Sequence, residues 1–594
     1  TIFSPVYLGG PNHVCPHCGA LFWNEERVRG CGSRDSPIYN KCCRGGTIVL
    51  TPYKPPPEPL IGLLTWQDSK LSKRFFEGIR SYNSMFAMTS MGVNVIKSIN
   101  DGRGPYVFKI SGQLCHRIGP LMPSNGTRPE YCQLYIFDTE NEVKNRMAVA
   151  SHENAAFKPD ESIVASLLSM FDSHNPIVQL FHTARDRLSN ESDDQYSVKI
   201  FSSPKQHGSV YSAPVASEVV GLVINDLGMS DEGRDLIIQD HASNLQRIKE
   251  THCKFMECST RYYFPMEKMD SMKNYSTINI PYQRQGKGKI VGDFNTPLRG
   301  KKLTQAYFVD AYCCVEESRL SHYRKKTFQA KYRTASYKSL LQAADRGVTE
   351  AAAAGQRVYL PGSFTAGPRW YYQNYQDCVA LCRRFGCPDL FITFTCNASW
   401  PEIREALSTT PAQHPSDRAD IVDRVFQMKL NLLMDDITKY SFFGPILGVV
   451  YTIEFQKRGL PHVHIIVWLK NDGPLTAEQI DTYISAQLPD PSIDPIGYDA
   501  VSKFMIHGPC GAIGPSSPCM VDGKCSKFYP KEFSSTITMS SDGRVIYARP
   551  KNGITFEKNG VHVDNRFIVP HNVDLCVKYD AHINVESVNA MEWR

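Results

Sequence analysis

The segment Gly459-Leu460-Pro461-His462-Val463-His464-Ile465-Ile466-Val467-Trp468-Leu469 opens on turn formers and runs on as apolar, β-branched residues, which predicts a strand. Successive strand side chains point to opposite faces. Val463, Ile465 and Val467 therefore share one face, and His462 and His464 share the other, roughly 6–7 Å apart along the chain. Gly448-Val449-Val450-Tyr451-Thr452-Ile453-Glu454-Phe455 predicts a second strand. The short link between them, Gln456 to Pro461, predicts an antiparallel hairpin that brings Glu454 beside His462, with Gln456 as a substitute. A third run alternates in the same way: Phe391, Thr393 and Thr395 fall on one face, Ile392 and Phe394 on the other.

Away from these strands the pattern is less regular. Pro52 to Pro59 predicts an extended connector. Phe108 to Gly119 reads as strand, turn and strand, and Gln133 to Asp138 as a further strand. Ile163, Leu167 and Met170, then Val178 and Phe181, predict helix within 160–187. Val219 to Ile224 predicts a buried strand, and Leu303 to Ala344 a helix. That last segment interleaves Arg319, Arg324, Lys325, Lys326, Lys331 and Arg333 with Tyr323, Phe328, Tyr332 and Tyr337. Basic residues meet phosphates and aromatics stack on bases, so the segment fits single-stranded DNA; a solvated helix face is the alternative.

Composition sets bounds on this picture. A length of 594 residues suggests about four domains. An apolar content of 42% supplies substantial cores, and 11% aromatics argue against disorder. The net charge of +6 permits a local nucleic-acid groove without announcing one. No apolar run approaches the roughly 18–20 residues of a membrane span, and no signal-peptide pattern opens the chain. The first residue is not Met, which fits a fragment.

Nineteen cysteines, an odd number, lie in clusters with His and Gly, which reads as metal sites and core thiols rather than a disulfide framework. Cys15 and Cys18 form a Cys-x2-Cys knuckle, and Cys42 with either Cys43 or a histidine completes a zinc set, leaving Cys31 as an extra. His507, Cys510, Cys519 and Cys525 have the spacing of a second closed zinc site; Lys524, Lys527 and Lys531 beside it are available to phosphates. His462 and His464 with Glu454 are different. Two nitrogens and an oxygen suit Mg, Mn or Zn better than a soft metal, with Mg or Mn expected, and such a site keeps open positions for a phosphate oxygen. Two unliganded histidines on a half-exposed strand are the plain alternative. A histidine nucleophile is disfavoured, because Ile466 occupies the next position on that face.

Phe455-Gln456-Lys457-Arg458-Gly459-Leu460-Pro461-His462-Val463-His464 resembles the HUH motif of Helitron transposases. Pro388 to Asn397 resembles their first Rep motif; Trp400-Pro401-Glu402-Ile403 follows it, and Leu360 to Phe364 and Asn374 to Asp377 lead into it. The similarity runs from about residue 5 to about residue 588. The resemblance implies an α+β protein: an HUH-type Rep nuclease, an antiparallel sheet with flanking helices, preceded by a zinc-binding N-terminal module and an α+β DNA-binding region. The implied division is a zinc-knuckle-like module over 1–51, a connector and α+β region over 52–187, and an α+β linker with a basic loop over 188–302. The Helitron helicase-like HUH Rep domain follows over 303–485, then a zinc-binding insertion and a truncated C-terminal part over 486–594. It further implies metal-dependent binding of single-stranded DNA at transposon ends, with Asn397, Lys457, Arg458, Arg324, Lys325 and Lys326 as candidate contacts. In that family a tyrosine phenolate nicks the strand and holds it as a 5′-phosphotyrosine before strand transfer. The tyrosine pair is expected after His582-Ile583-Asn584-Val585-Glu586, beyond which only a few residues remain; Tyr579 precedes that segment and is not assigned the role. The resemblance also implies a nuclear protein; a catalytically inactive, transposon-derived DNA-binding remnant is the competing expectation.

Overall fold

The computed structural model describes residues 3–28, 37–47, 55–88, 131–153, 157–175, 295–324, 360–408, 413–455, 459–471, 473–540 and 544–588, with short pieces between them. Over these residues the chain is mixed α+β with small antiparallel sheets. The largest sheet has four strands: β1 (Leu390–Thr395), β2 (Ile446–Phe455), β3 (Pro461–Leu469) and β4 (Ile583–Ser587). Their order is β2-β3-β1-β4, and every neighbouring pair is antiparallel.

One face of this sheet is the core. Leu390, Ile392 and Phe394 of β1, Val463, Ile465 and Val467 of β3, and Ile583 and Val585 of β4 are all fully buried there. The helix Ala419–Thr438 covers them, because Ile421, Val422, Val425, Phe426, Leu433 and Ile437 recur at helical spacing along one side of it. Phe394 stacks on Phe426 at 5.3 Å between ring centroids. Each such side chain is worth about 1.5–3 kcal/mol on burial, so the core face fixes which way the other face looks.

The N-terminal segment lies on the same body. Trp23 belongs to the core under the sheet, and Arg424 on the covering helix holds Glu26 at 2.8 Å. The Lys429 ammonium, fully buried, pairs with the buried Glu402 at 2.9 Å and donates to the Val6 carbonyl at 2.7 Å. The Leu8 N–H donates to the same Glu402 oxygen at 3.0 Å. Glu402 of the Trp400-Pro401-Glu402-Ile403 motif is thus a buried counter-ion that clamps the first residues of the chain.

A second core lies elsewhere. Leu60, Phe75, Tyr82, Met85, Tyr135, Leu167, Phe171 and Phe181 gather there with Leu303, Ala306 and Tyr307 from the start of the helix Lys302–Arg324. The helix predicted within 160–187 is present as Glu161–His174, with Ile163, Leu167 and Met170 buried. One expectation fails in this region. Gln133 to Asp138 is not a strand: Tyr131–Tyr135 is a 3-10 helix, opened by the Gln133 side chain accepting from the Glu130 N–H at 3.0 Å. Leu134, Tyr135 and Ile136 are buried in succession, which alternation does not allow. Phe108 to Gly119 does form two short strands, but they do not pair with each other. Ile110–Ser111 joins Asn94–Val95, and His116–Arg117 joins Ser90–Met91. The predicted strand at Val219 to Ile224 survives as Leu222–Ile224. The helix from Leu303 is described to Arg324, and its continuation to Ala344 lies outside the described residues.

Candidate metal centre

The register of the sheet assembles the site. Glu454 of β2 and Thr395 of β1 both stand opposite His462, and Thr452 and Thr393 both stand opposite His464. Opposed residues in an antiparallel pair share a face, so these side chains rise together from the face that the core does not cover. The His462 and His464 Nε2 atoms are 3.1 Å apart, and Glu454 Oε1 lies 2.6 Å from the first and 3.1 Å from the second. Around an ion with bonds near 2.1 Å, neighbouring octahedral ligands are separated by roughly 3.0 Å. The donor set thus fits one face of an octahedron around a hard divalent ion, with the opposite positions open.

The surroundings hold the rings in this pose. His464 Nδ1 is 3.1 Å from the Thr393 hydroxyl, and Phe391 stacks on the same ring at 5.4 Å. A histidine that gives one nitrogen to a metal commonly has its other nitrogen fixed by such a partner. His462 is buried, His464 half-buried, and Glu454 is 57% exposed at the sheet edge, so the cluster opens toward solvent on the carboxylate side. Hydrogen bonding from His464, with the charge and bond of His462, holds the Glu454 carboxyl below its ordinary pKa and keeps it ionised as an oxygen donor.

Both cysteine clusters also form. The sulfurs of Cys15, Cys18, Cys42 and Cys43 lie within 4.8 Å of one another, as do the donor atoms of His507, Cys510, Cys519 and Cys525. Cys43 takes the fourth position of the first set, which the sequence left open to a histidine. Tetrahedral zinc with Zn–S bonds of about 2.3 Å separates its sulfurs by roughly 3.8 Å. Cys15 and Cys43 are 3.8 Å apart, Cys42 and Cys43 3.7 Å. In the second set Cys525 Sγ is 3.3 Å from His507 Nε2, and the His507 ring stacks on Tyr529 at 4.2 Å. Gly508 bends that loop at φ +88°, where an added Cβ would meet the Cys510 nitrogen at 2.7 Å. Both donor sets suit a metal such as zinc. Burial raises Cys18 to about 11 and Cys510 to about 12. Cys15 and Cys525 go the other way: burial would raise them, but neighbouring backbone N–H groups outweigh it. The second cluster is continuous with the sheet core through Cys510 and Cys525, while the first has a small core of its own with Phe22 stacked on Tyr39 at 4.6 Å.

The predicted DNA contacts divide. Asn397 is engaged within the protein: its oxygen accepts from the Ser399 N–H at 2.9 Å, and its amide donates to the Asp580 carbonyl at 2.8 Å. That is the turn-capping role. Gln456, Lys457, Arg458, Lys325, Lys326 and Cys31 lie outside the described residues, as does the side chain of Arg324. Lys524 and Lys527 are exposed beside the second cluster, and Lys531 sits over the Tyr529 ring at 5.1 Å. Tyr579 is fully buried and donates to Asp436 at 2.5 Å; burial and that carboxylate raise its pKa, so it is no source of phenolate. Thr393 is the functional neighbour that sequence reasoning missed. Its alternation with Phe391 and Thr395 was the only signal.

Fold and site together define a mixed α+β protein with an antiparallel sheet that carries a His-x-His and carboxylate cluster, together with two cysteine-rich clusters that could hold a metal. Residues 290–467 match the Helitron helicase-like domain at N-terminus, a match that supports a Helitron-related protein. The matched range includes Glu454, His462 and His464. A search among curated proteins found no match. The domain points to interaction with nucleic acid. Among the described residues no helix is long and apolar enough to cross a membrane.

Proposed function

We propose that this chain is the N-terminal and Rep portion of a Helitron-type rolling-circle transposase. Its sheet domain is an HUH nuclease fold that binds single-stranded DNA in the nucleus with the help of a divalent ion, Mg or Mn. The convergence of Glu454 Oε1, His462 Nε2 and His464 Nε2 on one point, inside the range that matches the Helitron domain, carries this reading. An ion bound there supplies Lewis-acid stabilisation of charge on a phosphate oxygen. His462 and His464 would hold it from one strand, Thr393 and Phe391 fix the His464 ring, and Glu454 would supply an oxygen from the sheet edge. Zinc in the two cysteine-rich clusters would brace the fold, one in the small N-terminal core of Phe22 and Tyr39 and one beside the sheet core. Nicking and strand transfer, as in the intact family, additionally require a tyrosine nucleophile, and Tyr579 is not it.

The test is Mn titration of the zinc-loaded chain and of a His462→Ala/His464→Ala variant, followed by calorimetry. The expected result is one Mn site per chain, lost in the variant, with the zinc content unchanged. A variant that keeps full Mn affinity would sink the site.

A further inference from the structure

The row that holds the metal cluster continues across the sheet. Thr395 stands opposite His462 on one side, and on the other its N–H donates to the His582 carbonyl at 3.0 Å, next to the Phe394–Ile583 pair that opens β4. Glu454, His462, Thr395 and His582 therefore form one line across four strands and share one face. Two strand spacings separate His462 from His582, about 10 Å between backbones. His582 lies outside the group of mutually close donors at the ion site, so it is a flanking residue and not a further ligand of that cluster.

Three imidazole nitrogens at this end of the sheet are buried and have no hydrogen-bond partner among the described residues: His462 Nδ1, His582 Nδ1 and His571 Nε2. His571 belongs to the same surface, because it bridges to Asn584 on the outer side of β4. Buried polar atoms are ordinarily bonded, and an unbonded nitrogen costs about 1–3 kcal/mol. Such a concentration beside an open metal site marks a place built for a polar ligand. Burial, helped by the nearby His462, holds the His582 imidazole below its ordinary pKa, and His571 is lowered by burial to about 4. Both rings are therefore neutral at neutral pH; His571 gives its one N–H, on Nδ1, to the Val569 carbonyl at 2.8 Å, so of the two only His582 offers an N–H to a ligand. A neutral N–H and a hydroxyl suit a phosphodiester oxygen, since they contribute hydrogen bonds without competing for the ion.

We propose that Thr395 and His582 form the phosphate-docking half of the metal centre: a phosphodiester oxygen of single-stranded DNA accepts from the Thr395 hydroxyl and the His582 imidazole, which seats that phosphate against the ion held by Glu454, His462 and His464. This rests on the functional reading above and divides the recognition of substrate phosphate between Thr395, inside the matched range, and His582, well beyond its end at residue 467.

The experiment uses the zinc-loaded chain, a fluorescein-labelled single-stranded oligodeoxynucleotide, and Mn. His582→Gln and Thr395→Val are each compared with the parent for Mn affinity alone and for oligonucleotide affinity with and without Mn. We expect Mn affinity within about twofold of the parent, and a loss of about tenfold in the Mn-dependent part of oligonucleotide binding for His582→Gln, equivalent to about 1.4 kcal/mol. Thr395→Val, which preserves shape and strand propensity, should lose in the same direction. Equal losses of Mn affinity and oligonucleotide affinity would make His582 part of the ion site and overturn the assignment. Unchanged oligonucleotide binding in Thr395→Val would overturn it even if His582→Gln failed to fold. A parent that binds Mn but shows no Mn-dependent DNA binding would remove the docking role while leaving the metal centre standing; a parent that binds no Mn would remove both.

Discussion

Replacing Lys429 by Met should destabilise the sheet domain far more than the loss of one surface charge would. Lys429 is 1% exposed and Glu402 0% exposed, and their 2.9 Å pair sits beneath the first residues of the chain. Removing one member of a buried pair costs about 3–5 kcal/mol, because the remaining charge is left without compensation. The lost bond to the Val6 carbonyl adds about 1 kcal/mol. The partner change Glu402→Gln retains an oxygen for the Leu8 N–H but no longer needs a cation. The double variant Lys429→Met/Glu402→Gln should therefore be at least about 2 kcal/mol more stable than Lys429→Met alone. Urea unfolding of the zinc-loaded protein, followed by circular dichroism, measures all three. The single Lys429→Met variant should also regain stability as pH falls from 7 toward 5. Its buried carboxyl would hold a proton more tightly folded than unfolded, and folding is then favoured by acid. Strictly additive costs in the two single variants and the double, with no acid recovery, would refute the claim that charge compensation is what this pair provides.

Two further outcomes follow from the chemistry of the clusters and of one buried carboxyl. Each cysteine-rich site should hold one zinc, so Cys42→Ser and Cys510→Ser should each reduce the zinc content from two per chain to one, read by release to a chromogenic chelator; a parent chain purified without zinc and folding without it would contradict both assignments. Asp423 is pushed up to about 6 from 3.8, by burial first and by the charge of Asp420, against a hydrogen bond from Gln427. The folded state then binds its proton more tightly than the unfolded state, so its ionisation costs nothing below pH 3.8 and up to about 3 kcal/mol above pH 6. Asp423→Asn should stabilise the protein at pH 7 and have little effect at pH 4 in urea titrations, and an equal gain at both pH values would contradict the cause.

The parts of the site that were legible in the sequence are those governed by the two-residue period of a strand. His462 and His464 need no distant partner to share a face, and Glu454 follows once the hairpin is drawn. What escaped depends on contacts between segments far apart in the chain. Glu402 reads as a helix-start residue until Lys429 and Leu8 are placed around it, and nothing local in residues 3–28 announces that they lie against the helix Ala419–Thr438. Tyr131 to Tyr135 misleads for the opposite reason: aromatic and apolar residues in a row resemble a strand, while the Glu130–Gln133 cap that makes them a 3-10 turn is a local hydrogen bond with no hydrophobic signature.

The ion site itself is a consequence of the core. Slipping β3 by one residue against β1 would send Val463, Ile465 and Val467 to the open face and bury both imidazoles. Three fully buried apolar side chains at about 1.5–3 kcal/mol each stand against that slip. The same register that buries them sets Glu454 opposite His462, Thr393 opposite His464, and Thr395 between His462 and His582. The metal ligands, the residue that orients one of them and the proposed phosphate contacts are therefore not separately specified. They are the uncovered side of one hydrophobic register, and a core substitution that loosens β1 against β3 should weaken ion binding without touching a ligand.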